Sequence, residues 1–123
     1  MTIIEAINKI DSFKPNSYTQ DDKIAWLSEL DGIIKAEIID THEGSESITF
    51  NGYEVDTALD TIMLVPAPYD DIYLKWLEAK IDYLNGETPK YNNSMTMYNS
   101  AYSIFERYYN RTHMPIGKSI KFF

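Results

Sequence analysis

The chain contains no cysteine, so neither disulfides nor a thiolate metal site can hold it together, and synthesis in the cytoplasm is expected. No window approaches the roughly 20 consecutive apolar residues that a bilayer-spanning helix needs, so no membrane partner is expected. The opening MTIIEAINKI has no basic stretch and no long apolar run, so no secretory leader is expected. Basic residues are missing between Lys35 and Lys75, and carboxylate side chains are missing after Glu106. With a net charge of −8, the chain lacks the clustered Lys and Arg that binding to a phosphate backbone requires. There is no glycine-rich phosphate loop, no GxSxG and no pair of histidines at metal-ligand spacing. His42 and His113 stand far apart, and the helix dipole alone explains a histidine at a helix C-terminus. Asp70 and Asp71 are neighbours on a helix and so do not face each other as paired catalytic carboxylates. No enzyme, metal or cofactor is expected.

What is present is a chain of 123 residues, 44% of them hydrophobic, enough for one domain with a real core. The stretch that organises it runs from Val65 to Gly86, VPAPYDDIYLKWLEAKIDYLNG. Pro66 forbids helix before it, and Pro68 suits a first helical turn. Asp70 and Asp71 then place negative charge at the positive end of the helix dipole. Ile72, Trp76, Ala79 and Tyr83 form an inner stripe that Leu77, Ile81 and Leu84 widen, and Gly86 supplies the left-handed stop. Such a helix spans about 27 Å and can face two neighbours at once.

Ahead of it, Thr2 and Glu5 have the spacing of a capping box, and Ile3, Ile7 and Ile10 make a short apolar stripe ending by Phe13, before Pro15. Thr19 and Asp22 open a second helix, with Ile24, Leu27, Leu30, Ile34 and Ile38 at helical spacing to about Ile39; Gly32 within it marks a close helix contact. Between the second and third helices, at about residues 46–57, Asn51-Gly52 reads as the turn of a β-hairpin that pairs Phe50 with Tyr53 and Ile48 with Val55. Thr88-Pro89 starts the last long helix, with Tyr91, Met95, Tyr98, Tyr102, Phe105 and Tyr109 down one face to about Thr112. The short link from Gly86 to Thr88 makes the last two helices antiparallel neighbours. The expected fold is therefore mainly α: a bundle of about four helices with a β-hairpin insertion, one domain over residues 1–115. Its core is centred on Ile72, Trp76, Tyr83, Tyr98, Tyr102 and Phe105. Residues 116–123 form a tail in which Ile116, Lys118, Ile120, Lys121, Phe122 and Phe123 are candidate residues for docking on a neighbouring subunit or another partner protein, the alternative being a tail packed back on its own bundle.

The strings VPAPYDDIY (Val65–Tyr73), IDYLNGE (Ile81–Glu87), YNNSM (Tyr91–Met95) and YYNRTHMP (Tyr108–Pro115) resemble, in that order, proteins of prophages and tailed phages of Gram-positive bacteria. The resemblance is to small head–tail connector, or head-completion, proteins. It covers roughly residues 60–115, with the first half alike only in helical organisation, and it does not extend to the expected hairpin. It implies a helical bundle that assembles as a homo-oligomeric ring beneath the portal protein and extends the DNA channel. Its further partners would be other head-completion or tail proteins. It also implies residence in the host cytoplasm during assembly and in the virion neck afterwards. DNA would pass through without specific binding, and carboxylates such as Glu43, Glu46 and Glu54 on the lumen would repel it. The competing class is a small acidic interaction protein that mimics DNA and needs no ring.

Overall fold

The computed structural model describes residues 1–116. Four helices follow in chain order: α1 (Ile3–Phe13), α2 (Gln20–Glu37), α3 (Ile72–Leu84) and α4 (Thr88–Thr112). Single 3₁₀ turns lie at Ile39–Thr41 and Ser45–Ser47. No described helix is long and apolar enough to cross a membrane. Local chemistry sets the helix ends. The Thr2 hydroxyl accepts from the Glu5 amide, and the Glu5 carboxylate accepts from the Thr2 amide, each at 3.2 Å. Those bonds from Thr2, backbone first, hold the Glu5 carboxyl below the usual carboxylate range. Thr19 and Asp22 repeat the device at the start of α2, at 3.1 and 3.3 Å. Helix α3 ends in a Schellman motif. Gly86 turns to a φ of 73°, its amide bonds Tyr83 O, and the Glu87 amide bonds Asp82 O.

Helix α3 touches α1, α2 and α4, which makes it the centre of the bundle. It is shorter than expected: 13 residues, or about 20 Å. Pro68 lies ahead of the helix rather than in its first turn, in a turn where the Tyr69 amide bonds Pro66 O. Helix α2 likewise stops at Glu37, and α4 takes Glu87 as its N-cap, with Thr88 its first residue. The antiparallel register of α3 and α4 shows in its contacts, from Tyr83 beside Tyr91, through Trp76 beside Tyr98, to Tyr69 beside Phe105. The core takes Ile3, Ala6, Ile7 and Ile10 from α1 and Ile24, Leu27, Leu30 and Ile34 from α2, as their spacing predicts.

The β-hairpin is not formed. Among the described residues there is no strand, only isolated bridges between Thr2 and Ile62 and between His42 and Pro115. Only half of the Asn-Gly signal is realised: Gly52 adopts a φ of 93°, while Asn51 has no positive φ. The chain beyond it pairs with α2 instead of with itself. The Tyr53 amide donates to Ser28 Oγ at 2.9 Å, and the Tyr53 hydroxyl donates to Asp31 at 2.5 Å. A turn closed by Thr57 then occupies residues 54–57, where the second strand would have run. Phe50 and Tyr53 do meet edge to face, but Val55 is 68% exposed and has no pairing with Ile48. A two-stranded hairpin is marginal in water, and hydrogen bonds to a buried carboxylate are stronger competitors for the same groups. The close helix contact expected at Gly32 is absent, because a Cβ there would meet only the Phe50 ring, at an ordinary 4.0 Å.

The inner stripe of α3 is rotated from its expected position. Ile72, Tyr73, Leu77, Ala79, Ile81 and Asp82 are buried, Trp76 is half-buried, and Tyr83 is 63% exposed with Leu84 also outside. The rotation follows from Tyr73, whose hydroxyl must reach a buried acceptor on α2. On α4, Tyr98 and Phe105 are buried as expected, whereas Tyr102 is half-buried. Phe105→Ala is expected to cost about 3–5 kcal/mol and Trp76→Ala only about 1–3 kcal/mol, read by urea unfolding. A larger loss at Trp76 than at Phe105 would contradict this packing.

Candidate functional site

The most constrained group in the molecule is Asp31, fully buried on α2. Its carboxylate accepts from the Tyr53 hydroxyl at 2.5 Å, the Tyr73 hydroxyl at 2.7 Å and the Leu64 amide at 3.1 Å. Tyr73 in turn accepts from the Val65 amide at 2.8 Å. One carboxylate thus ties the long connection between α2 and α3 to both helices. Burial pushes the Asp31 carboxyl above the usual range, opposed by its bonds to Tyr53, Tyr73 and Leu64. Burial and the Asp31 charge push both tyrosines upward, so their hydroxyls stay donors. The cluster is enclosed, and every buried side-chain nitrogen and oxygen among the described residues has a partner. It is built to hold the fold. Asp31 lies four residues after Leu27 and three before Ile34, so a charge inside the apolar stripe was its signal in the sequence.

Two further buried charges are paired directly. Asp82 takes Lys14 at 2.7 Å and the Ser94 hydroxyl at 2.5 Å, joining α1, α3 and α4 at one end. Lys23 takes Asp11 at 2.7 Å and Tyr18 O at 2.9 Å. The two histidines, distant in sequence, come together. His42 is buried, its Nδ1 2.6 Å from Ile38 O and its Nε2 2.7 Å from Asn110 Oδ1, so its ring joins the end of α2 to α4. Tyr109 lies edge-on to His42 and stacks on His113 at 3.8 Å. No group of three or more His, Cys, Asp or Glu among the described residues could hold a metal ion.

The candidate lumen carboxylates are all exposed. Glu43, Glu46 and Glu54 lie on the connection after α2, before, within and after the 3₁₀ turn at Ser45–Ser47, and none has an ion-pair partner among the described residues. By contrast, Asp40 pairs with Lys35, and Asp70 meets the Met1 amine at 3.3 Å. Of the candidate tail residues, Ile116 is described. It is exposed, yet its amide donates to Thr41 O at 2.9 Å. Lys118, Ile120, Lys121, Phe122 and Phe123 lie outside the described residues.

The open surface with most chemistry is aromatic. Tyr98 and Tyr102 stand beside Trp76 on a face where Glu37 accepts from the Tyr102 hydroxyl at 2.9 Å. Burial and the Glu37 charge push Tyr98 up to about 12, and burial and the bond to Glu37 push Tyr102 upward too. Trp76 donates its indole N–H to Trp26 O at 2.8 Å, and the Lys80 ammonium lies 4.9 Å from its ring centre. No protein-family model, no curated protein and no solved structure matches the chain.

The Asp31 cluster makes stability depend on pH with a definite sign. A carboxyl raised on folding stabilises the native state most fully below its unfolded pKa, and that contribution is lost as pH rises through the folded value. Against an Asp31→Asn variant, wild type is therefore expected to lose relative stability from acid toward neutral pH, as read by urea unfolding at each pH. A difference that does not change with pH would contradict the assignment. Tyr53→Phe, which removes one donor to the buried carboxylate, is expected to cost about 1.5–3 kcal/mol.

Proposed function

We propose that this chain is a structural assembly protein of a tailed phage or prophage, a head–tail connector that closes into a ring beneath the portal and extends the DNA channel. The observation that carries the reading is the placement of uncovered apolar side chains at opposite ends of α1. At one end, Phe13 is 71% exposed, and the Lys14–Asp82 bond puts the exposed Leu84 at the same end. At the other end, Ile62 is 76% exposed beside Thr2. Two different patches about 16 Å apart suit a head-to-tail contact, the kind that repeats into a ring when its rotation closes. The resemblance of residues 60–115 to connector proteins supports the same reading. Glu43, Glu46 and Glu54, exposed and without an ion-pair partner among the described residues, are the carboxylates proposed to face DNA and keep it moving by like-charge repulsion. The portal and other neck proteins are the proposed partners, and the virion neck is the proposed location.

A DNA-mimicking inhibitor is the second reading, favoured by the run of exposed carboxylates from Glu43 to Asp60. The two differ in assembly. Ile62→Asp is expected to leave the melting temperature unchanged and to abolish the ring formed with portal, as counted by mass photometry. If wild type stays monomeric with portal and instead displaces DNA from a DNA-binding protein, the mimic reading replaces the connector. Replacing Glu43, Glu46 and Glu54 with lysine is expected to leave folding intact and to create salt-sensitive DNA retention in the assembled ring. Unchanged DNA passage in that variant would remove these residues from the lumen.

A further inference from the structure

Helices α2, α3 and α4 meet around a cleft of about 300 Å³, lined by Ile33, Glu37, Trp76, Tyr98, Asn99 and Tyr102. On the far side of Trp76 a second hollow of about 300 Å³ continues to Tyr83 and Tyr91. The groove follows α4 from Tyr102 back to Tyr91, about 16 Å of helix. Tyrosines and Trp76 make up much of its wall, with Lys80 over one part of the Trp76 ring, and Glu37 has no cation partner among the described residues. An exposed carboxylate set among aromatic rings is chemistry for an ammonium group, which gains an ion pair and a cation–π contact together.

The path of the chain says what could supply that ammonium. After α4, residues 113–116 fold back along the end of α2. The Glu43 amide bonds Met114 O at 2.8 Å, and the Ile116 amide bonds Thr41 O at 2.9 Å. Thr41 is one helical turn beyond Glu37, so the last described residue stands beside the mouth of the groove. The remaining sequence, Gly117 to Phe123, holds Lys118 and Lys121 and the apolar Ile120, Phe122 and Phe123. Seven extended residues reach about 23 Å, longer than the groove. Attachment at its mouth also gives a segment of the same chain a millimolar effective concentration that a second copy lacks.

We infer that this groove is the binding surface for the chain's own residues 117–123, with Lys118 at Glu37 and the Phe122-Phe123 pair against the rings around Trp76. The inference does not depend on ring assembly. It assigns the groove to lysine-plus-aromatic peptides, so a partner presenting such a peptide would have to displace the resident one.

The test uses the full chain, mixed in equal parts unlabelled and isotope-labelled, and joined by zero-length carbodiimide coupling of carboxylates to amines. Mass spectrometry is expected to find Glu37 joined to Lys118 within single-isotope pairs, and Glu37→Gln to abolish that product. Predominantly mixed-isotope pairs would move the segment to a second copy and overturn the inference. So would coupling of the lysines to Glu43 or Glu46 in place of Glu37, or no coupling at all. A double variant, Phe122→Ala with Phe123→Ala, is expected to shift the Trp76 indole N–H resonance while leaving that of Trp26 in place. An unmoved Trp76 signal overturns the aromatic half of the inference.

Discussion

A carboxylate with no access to water must be satisfied by the protein, and in this chain Asp31 imposes that requirement on three separate segments. Removing an ionised carboxyl from water costs several kcal/mol, and only converging donors offset it. Tyr53 and Leu64 supply donors from the connection between α2 and α3, and Tyr73 supplies one from α3 itself. The consequences spread outward. Tyr73 can reach Asp31 only if α3 turns that face inward, which carries Tyr83 and Leu84 out to solvent. Tyr53 can reach it only if residues 48–53 lie along α2, which removes the partner strand a hairpin would need. The apolar stripes of α1 and α2 supply most of the burial, but the polar cluster selects among the ways those stripes could pack.

Charge is organised on the same plan. Inside, Asp82 and Lys23 are each held by an ion pair and one further hydrogen bond, which ties the ends of α1, α3 and α4 and the start of α2. Outside, the carboxylates from Glu43 to Asp60 meet no cation among the described residues, so the connection that Asp31 anchors carries an exposed acidic surface. The same orientation of α3 leaves Trp76 beside Tyr98, Tyr102 and Glu37 in an open groove.

Features set by neighbouring residues were legible in the sequence. Thr2 with Glu5, Thr19 with Asp22, and Gly86 act within one turn of helix, and each does in the structure what its spacing implies. The isoleucine stripes of α1 and α2 were legible because a regular period leaves one inward face. Asn51-Gly52 was misread: Gly52 has its positive φ but Asn51 does not, and what lies beside a turn is decided by distant partners. Trp76 and Tyr83 were misplaced for the same reason, since α3 has apolar residues on more than one face and only Asp31 decides between them. The meeting of His42 with Tyr109 and His113 carried no local signal. Asp31 did carry one, a lone acid on the apolar stripe between Leu27 and Ile34.

The claim on which the account rests is that the connection between α2 and α3 is fastened to the core through Asp31. Native-state hydrogen exchange at the Leu64 and Val65 amides tests it directly, because both are irregular-loop amides whose acceptors lie in the cluster. The account predicts that both exchange only through global unfolding, as slowly as the amides of central α3, and that Asp31→Asn releases them. Exchange of Leu64 and Val65 at the rate of exposed loop amides, with α3 still protected, would contradict it.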